Sequence, residues 1–273
     1  MGTLVCLHAH PDDEAIATGG TMARAHAEGH RVVLIVATDG AHGELPDDLA
    51  EGETLEDRRR TETLASAEAL GIDRVEFLDY TDSGMSGWDQ NNHHEAFCQA
   101  DPDTVAARLA DLLLQERADV FTIYDWHGGY GHPDHIQVHR VGCKVEEMVR
   151  ADLPHLRVLE STMNRDSLRR MISIAEELGW DDDWGEDGDE FDPDRPMDDG
   201  NPMGTPEEEL TLGVDVSDYT RFKRAAIAAH RSQVSDSSFF LQMPLEIFGT
   251  AFGTEWYIEH GRPPGLRMGW VFE

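Results

Sequence analysis

Hydrophobic and polar positions along this chain alternate between two rhythms. Short runs rich in β-branched and aliphatic residues, at 3–9, 31–37, 75–78, 118–124 and 156–160, read as buried strands. Between them lie longer stretches with apolar residues at helical spacing. They cover 14–28 (ending at Gly29), 54–70 (stopped by Gly71), 102–116, 133 to about 151, and 165–178. In the third of these, Leu109, Leu112 and Leu113 share the face expected to meet the core. Strands that alternate with helices of this length are joined by crossovers and run parallel. The predicted fold is therefore α/β, a doubly wound, mostly parallel, Rossmann-like sheet. In such sheets ligands sit outside the carboxyl ends of the strands.

Residues 181–209 break the rhythm with glycine, proline and carboxylates, over a length unusual for a connection. The expected organisation is a catalytic core over 1–180, an acidic loop or lid over 181–209, and a C-terminal extension over 210–273. That extension opens with a helix over 217–232 and is expected to pack on the core and cover the active site. The acidic stretch lacks the ligand order of a calcium-binding loop, so no calcium is assigned to it.

Charge narrows the partners. The 273 residues carry 55 Asp plus Glu against 22 Lys plus Arg, a net charge of −33. Only two lysines occur, Lys144 and Lys223. Residues 181–209 hold 14 acids and one arginine, so −20 is spread over the rest of the chain. Such a surface repels phosphate backbones, which excludes nucleic acid and disfavours anionic membranes. A high-salt source would account for it, since salt screens self-repulsion; an acidic high-GC organism would account for it equally. No apolar run approaches the roughly 18 residues of a membrane span, and the opening residues lack the pattern of a signal peptide. Cys6, Cys98 and Cys143 form neither a disulfide framework nor a thiolate metal motif, and a cytoplasmic location is expected. A homo-oligomer stays open.

The chemistry lies in two loops. LHAHPDDE at 7–14 and GGYGHPDH at 128–135 each follow an apolar run and open a helical stretch, about 120 residues apart. One His-Pro-Asp triplet alone is ordinarily a turn or helix cap. Two at matching strand ends read as halves of one hydrolytic metal site. Such a site needs three nitrogen or oxygen ligands and an open position for water, and His10, Asp13 and His135 supply the ligands. Asp12, beside a ligand, is placed to take a proton from water. His132 can stabilise an oxyanion or protonate a leaving amine, and Asp134 can fix a neighbouring imidazole.

These motifs resemble the signatures of the PIG-L/LmbE family of zinc-dependent N-deacetylases. The likeness extends to Arg59-x-x-Glu62, DSGM at 82–85, MNRD at 163–166 and NPMGTPEEE at 201–209, and so covers most of the chain. It is nearest to the actinobacterial branch that makes or uses mycothiol. The resemblance implies a doubly wound fold and removal of acetyl groups from N-acetylglucosamine-containing conjugates. It implies zinc (or ferrous iron) on His10, Asp13 and His135, with Asp12 as base and His132 assisted by Asp134. Tyr130 matches a tyrosine that turns toward the substrate carbonyl, and Arg59 and Asp82 match positions that contact the sugar or its attached group. His230 and Gln233, in AAHRSQ, resemble a late motif that closes the site, and His230 is expected to contact substrate there. The chain departs from the family at His127, where asparagine is usual, and at His42, often an acid. His42, His93 and His94 read as surface-loop residues.

The expected reaction releases acetate and a free amine from an aminosugar conjugate. The enzymatic alternative is a mycothiol-type S-conjugate amidase, disfavoured by EAIATGG after the first motif where that branch has a lysine. A nucleotide-binding module is disfavoured because TGGT at 18–21 is not a full GxGxxG after a strand. A non-catalytic sugar-binding descendant should have lost ligands, and both triplets are intact.

Overall fold

The structure is a computed structural model that describes residues 1–177, 192–197 and 199–273. Its framework is a single sheet of eight strands. In chain order these are β1 (Thr3–His8), β2 (Arg31–Thr38), β3 (Arg74–Tyr80), β4 (Val120–Tyr124), β5 (Arg157–Thr162), β6 (Leu212–Asp215), β7 (Thr254–Glu259) and β8 (Arg267–Gly269). The spatial order is β3-β2-β1-β4-β5-β7-β6-β8. Strands β1 to β5 pair parallel throughout, β7 runs antiparallel to both β5 and β6, and β6 pairs parallel with β8.

Helices cover both faces, so the central strands are buried on both sides and carry no polar face. In β1, Val5 and Leu7 turn to the layer formed by α4 (Pro102–Glu116) and α5 (Pro133–Val149), where they join Leu109, Leu113, Val138 and Val145. Leu4 and Cys6 turn the other way, toward Met22, Leu70 and Ile227. Those residues belong to α2 (Gly19–Ala27), to α3 (Leu55–Leu70) and, beyond α6 (Arg165–Glu177), to α7 (Thr220–Ala229). The expected core leucines 109, 112 and 113 of α4 are all buried.

Two expectations are corrected. The single helix foreseen over 14–28 is two, α1 (Asp13–Ala17) and α2, separated at Thr18. The Thr18 hydroxyl is drawn to His8 Nε2 at 2.8 Å, and the backbone there leaves helical geometry. The helix foreseen over 217–232 is shorter, and the C-terminal part also lengthens the sheet, β6, β7 and β8 lying beyond β5. Its helix stops at Ala229, short of the expected 232, and the loop from His230 onward turns back against α1 and α3. Of the acidic stretch, residues 181–191 and 198 lie outside the described residues. Its later part pairs Thr205 with Asn164, and Gly204 N–H donates to Gly129 O at 2.7 Å, so it abuts the second loop.

Strand order reverses between β1 and β4. From β1 the chain winds outward through β2 and β3, then returns to place β4 on the other side. The crevice at that reversal is where a doubly wound sheet binds its ligand. Residues 10–14 follow β1 and residues 127–135 follow β4, so both loops open onto it.

Candidate metal centre

The two loops bring three donor atoms into a triangle. Asp13 Oδ2 lies 3.2 Å from His10 Nδ1 and 3.2 Å from His135 Nε2, and the two imidazole nitrogens are 3.3 Å apart. Ligands ~2.0–2.2 Å from a tetrahedral ion stand about 3.3–3.6 Å from one another, so the triangle is close to one face of such a tetrahedron. Burial disfavours charge on Asp13, yet the imidazoles of His135 and His10 hold its proton affinity well below the usual carboxylate value. An anion and two imidazole lone pairs directed at one point are a donor set that a divalent cation satisfies.

Each imidazole is turned by a bond from its other nitrogen. His135 Nδ1 donates to Gly128 O at 3.1 Å, and its ring stacks on Tyr124 with centroids 4.3 Å apart, leaving Nε2 for the metal. Gly128 has φ +69°, and a Cβ there would lie 2.3 Å from that of His135, so only glycine allows the approach. His10 Nε2 donates to Asp134 Oδ2 at 3.2 Å, leaving Nδ1 for the metal. Asp134 has no exposed surface and also accepts from the backbone N–H and hydroxyl of Ser83.

Two groupings that include His132 are also close enough to consider, one with His10 and His135 and one with His10, Asp82 and Asp134. Their members beside His10 and His135 are already engaged. Asp134 accepts from Ser83, Asp82 accepts from Gly84 and His42 N–H, and His132 Nδ1 accepts Asp134 N–H at 3.1 Å. Those contacts make this side a hydrogen-bonded support; Asp13 Oδ2 also accepts the His10 N–H at 2.8 Å, but on its side two imidazole nitrogens and a carboxylate face one another at 3.2–3.3 Å. Burial alone would keep His10 neutral, but Asp82, Asp13 and Asp134 outweigh it and lift its proton affinity well above the usual value. That excess of negative charge is what a cation would offset.

Asp12 borders the triangle in an unusual conformation. Its φ of +112° with ψ −31° lies outside the regions open to a residue with a Cβ, a strain of order 1–3 kcal/mol. It stands at the N-cap position of α1, yet its side chain makes no capping hydrogen bond. The carboxylate instead meets Arg59 Nη2 at 2.9 Å. Burial raises its proton affinity above the ordinary carboxylate value, Arg59 pulling it back and the adjacent Asp13 pushing it further.

His132 and Tyr130 complete the rim. Burial, with His10 and His135 nearby, holds the His132 pKa down to about 2, so the ring is neutral. Because Nδ1 is an acceptor, the proton sits on Nε2. The Tyr130 hydroxyl is 3.4 Å from His135 Nε2, and burial pushes its pKa upward, so it remains a donor.

The three residues expected to contact substrate are all buried against the site's own supports. Arg59 is 3% exposed and spans the Gly40 and Pro11 carbonyls and the Asp12 carboxylate. Asp82, 4% exposed, faces His10 Nε2 at 3.6 Å. His230 is fully enclosed and lies 2.7 Å from Glu14 Oε1, so it does not line the cleft. Sequence reasoning missed Glu14, Ser83, Tyr124 and Asp199. Ser83 stands inside DSGM and Glu14 inside AHPDDE, so their positions were in view although their partners were not. His127, the departure from the family pattern, is buried with Nδ1 3.4 Å from Asp199, which joins the later acidic stretch to the second loop.

The chain is similar over most of its length to proteins of named activity. A family model described as PIG-L, GlcNAc-PI de-N-acetylase, matches residues 5–145. A 1D-myo-inositol 2-acetamido-2-deoxy-α-D-glucopyranoside deacetylase of Acidothermus cellulolyticus is 38% identical over 266 residues, spanning 94% of this chain and 88% of the relative. One of the same name from Thermomonospora curvata is 35% identical, spanning 97% and 96%. Among solved structures, the N,N'-diacetylchitobiose deacetylase of Pyrococcus horikoshii superposes with a TM-score of 0.59 at 20% identity, covering 94% of this chain and 83% of that one. A 4-carboxy-2-hydroxymuconate hydratase from Pseudomonas putida superposes almost as well, with a TM-score of 0.58 at 16% identity over 98% and 100%. The shared fold therefore does not by itself select a reaction.

Proposed function

The chain belongs to the PIG-L, GlcNAc-PI de-N-acetylase family, and from that premise we propose that it is a metal-dependent deacetylase of an N-acetylglucosamine conjugate. The substrate we assign is a 2-acetamido-2-deoxy-glucopyranoside of inositol, after the names of the relatives at 35–38% identity. One observation carries the reading. The donor triangle of His10, Asp13 and His135 lies beside a carboxylate, Asp12, that a helix cap would have consumed but that is free of capping.

His10, Asp13 and His135 would hold zinc or ferrous iron, which when bound polarises an amide carbonyl and acidifies water. Asp12 takes the proton of the attacking water, its proton affinity raised toward the working range of a general base. Neutral His132 donates from Nε2, and Tyr130 from its hydroxyl, to the oxygen on which negative charge develops. His132 is thus a hydrogen-bond donor and not a charged acid, and the proton held by Asp12 is the one available to the leaving amine. Asp134 and Asp82 orient His10, and Arg59 braces the loop that carries Asp12.

No helix among the described residues is long and apolar enough to cross a membrane. The three cysteines are unpaired, which suits a reducing, cytoplasmic compartment. The test is acetate release by metal-reconstituted enzyme from the inositol glucosaminide. A thiol S-conjugate with its amide between aminosugar and acylated cysteine serves as competitor. Turnover of the acetamide with little of the conjugate supports the deacetylase. The reverse preference would replace it with the amidase.

A further inference from the structure

We propose that Glu14, held by His230 and Ser66, is a positioning residue that fixes Asp12 in its strained backbone conformation. Through it, the C-terminal part of the chain contributes to the reaction. The proposal rests on the reading of Asp12 as the base and adds how that base is kept in place.

Asp12 has no side-chain cap to stabilise its end of α1, and its φ of +112° is one that an L-residue leaves unless held. Its backbone is held from both sides. The carbonyl accepts from Ala15 and Ile16 N–H at 3.0 and 3.3 Å. The N–H donates to Glu14 Oε2 at 3.0 Å, which ties the Asp12 backbone to a carboxylate inside α1. The Asp12 carboxylate, which caps nothing, faces Arg59 and the reacting centre.

Glu14 needs support of its own. It has no exposed surface, and a buried carboxylate with an unpaired oxygen is costly. Its Oε1 accepts from the Ser66 hydroxyl at 2.5 Å, in α3, and from His230 Nε2 at 2.7 Å, just after α7. Ser66 and His230 are themselves fully buried. Among the described residues His230 Nδ1 has no hydrogen-bond partner, and the ring's polar bond is the one to Glu14. Two residues on, Ser232 donates from N–H and hydroxyl to Glu62 at 2.9 and 2.6 Å, which fastens the same loop to α3. The sequence 230–232 is therefore clamped against α1 and α3, with its one imidazole directed at the carboxylate that holds the base.

The test uses the metal-loaded full chain and compares Glu14→Gln, His230→Leu, His230→Gln and Ser66→Ala with Asp12→Asn. Glu14→Gln and His230→Leu are expected to lower kcat by roughly 10–100-fold, with KM and metal stoichiometry close to wild type. His230→Gln, whose amide still donates to Glu14, recovers most of that loss. In the Asp12→Asn background, Glu14→Gln adds little, because it acts through Asp12. Should His230→Leu fail to fold, Ser66→Ala, which removes the other donor, gives the same split in smaller measure. Wild-type kcat in Glu14→Gln, or full additivity with Asp12→Asn, would overturn the proposal while leaving the base assignment intact. Retained activity in Asp12→Asn would instead overturn the base.

Discussion

The two His-Pro-Asp triplets share their letters and exchange their roles. In the first loop the histidine, His10, is the proposed ligand, and the aspartate, Asp12, strained and uncapped, is the proposed base. In the second, His132 sits at the N-cap of α5 with φ −63°, and its Nδ1 takes the Asp134 N–H. Asp134 is wholly buried and serves as an acceptor for His10 and Ser83, while the proposed ligand is the next residue, His135. Only the fourth position is used alike, Asp13 and His135 both facing the metal point. Backbone conformation assigns the chemistry. One aspartate is turned out at positive φ, and the other is turned in at the start of a regular helix.

Removing the fourth residue of either loop should have the largest effect. Asp13→Ala and His135→Ala are expected to lose the metal and reduce deacetylation to background, read by metal analysis of dialysed protein. Replacing the third residue should separate the loops. Asp12→Asn is expected to lose about 10³-fold or more in kcat with one metal retained. Asp134→Asn, the same letter change, should cost roughly 10–100-fold and weaken metal binding, because it releases His10. Equal effects would break the comparison.

The first residue of the second loop sharpens it further. His132→Asn keeps a good helix cap but loses the Nε2 donor, so activity should fall ~10²-fold with little change in Tm. His132→Ala loses both, with about 1 kcal/mol of added destabilisation in a denaturant titration. The smallest expected effect spares both loops. With a net charge of −33, raising salt from about 0.1 to 1 M shortens the screening length from about 10 to 3 Å, and Tm should rise.

Much of the framework was legible because β1, β2 and β4 are largely apolar on both faces, β3 and β5 keep short apolar stretches, and the helices keep their spacing. The first five strands follow directly from that, and the helix 102–116 matches α4 from end to end. Strand β7 was not legible, for a physical reason. Its inward positions include Glu255 and Glu259, which are buried on Lys223 and Arg157, while Trp256 and Ile258 are only partly covered. The usual polar-outside pattern is inverted there by ion pairs that only the fold brings together. The same limit applies at the site. His10, Asp13 and His135 stand in compact motifs, but Glu14 and His230 are 216 residues apart, and no local pattern joins them. Arg59, Asp82 and His230 were expected to contact substrate; each is buried against the supports of the site, a direction set by packing that their motifs do not carry.

Anomalous diffraction at the zinc edge from metal-soaked crystals tests the central claim most directly. The account predicts one peak about 2.0–2.2 Å from His10 Nδ1, Asp13 Oδ2 and His135 Nε2. A peak on the opposite side of His10, among Asp82, His132 and Asp134, or none at all, would contradict it.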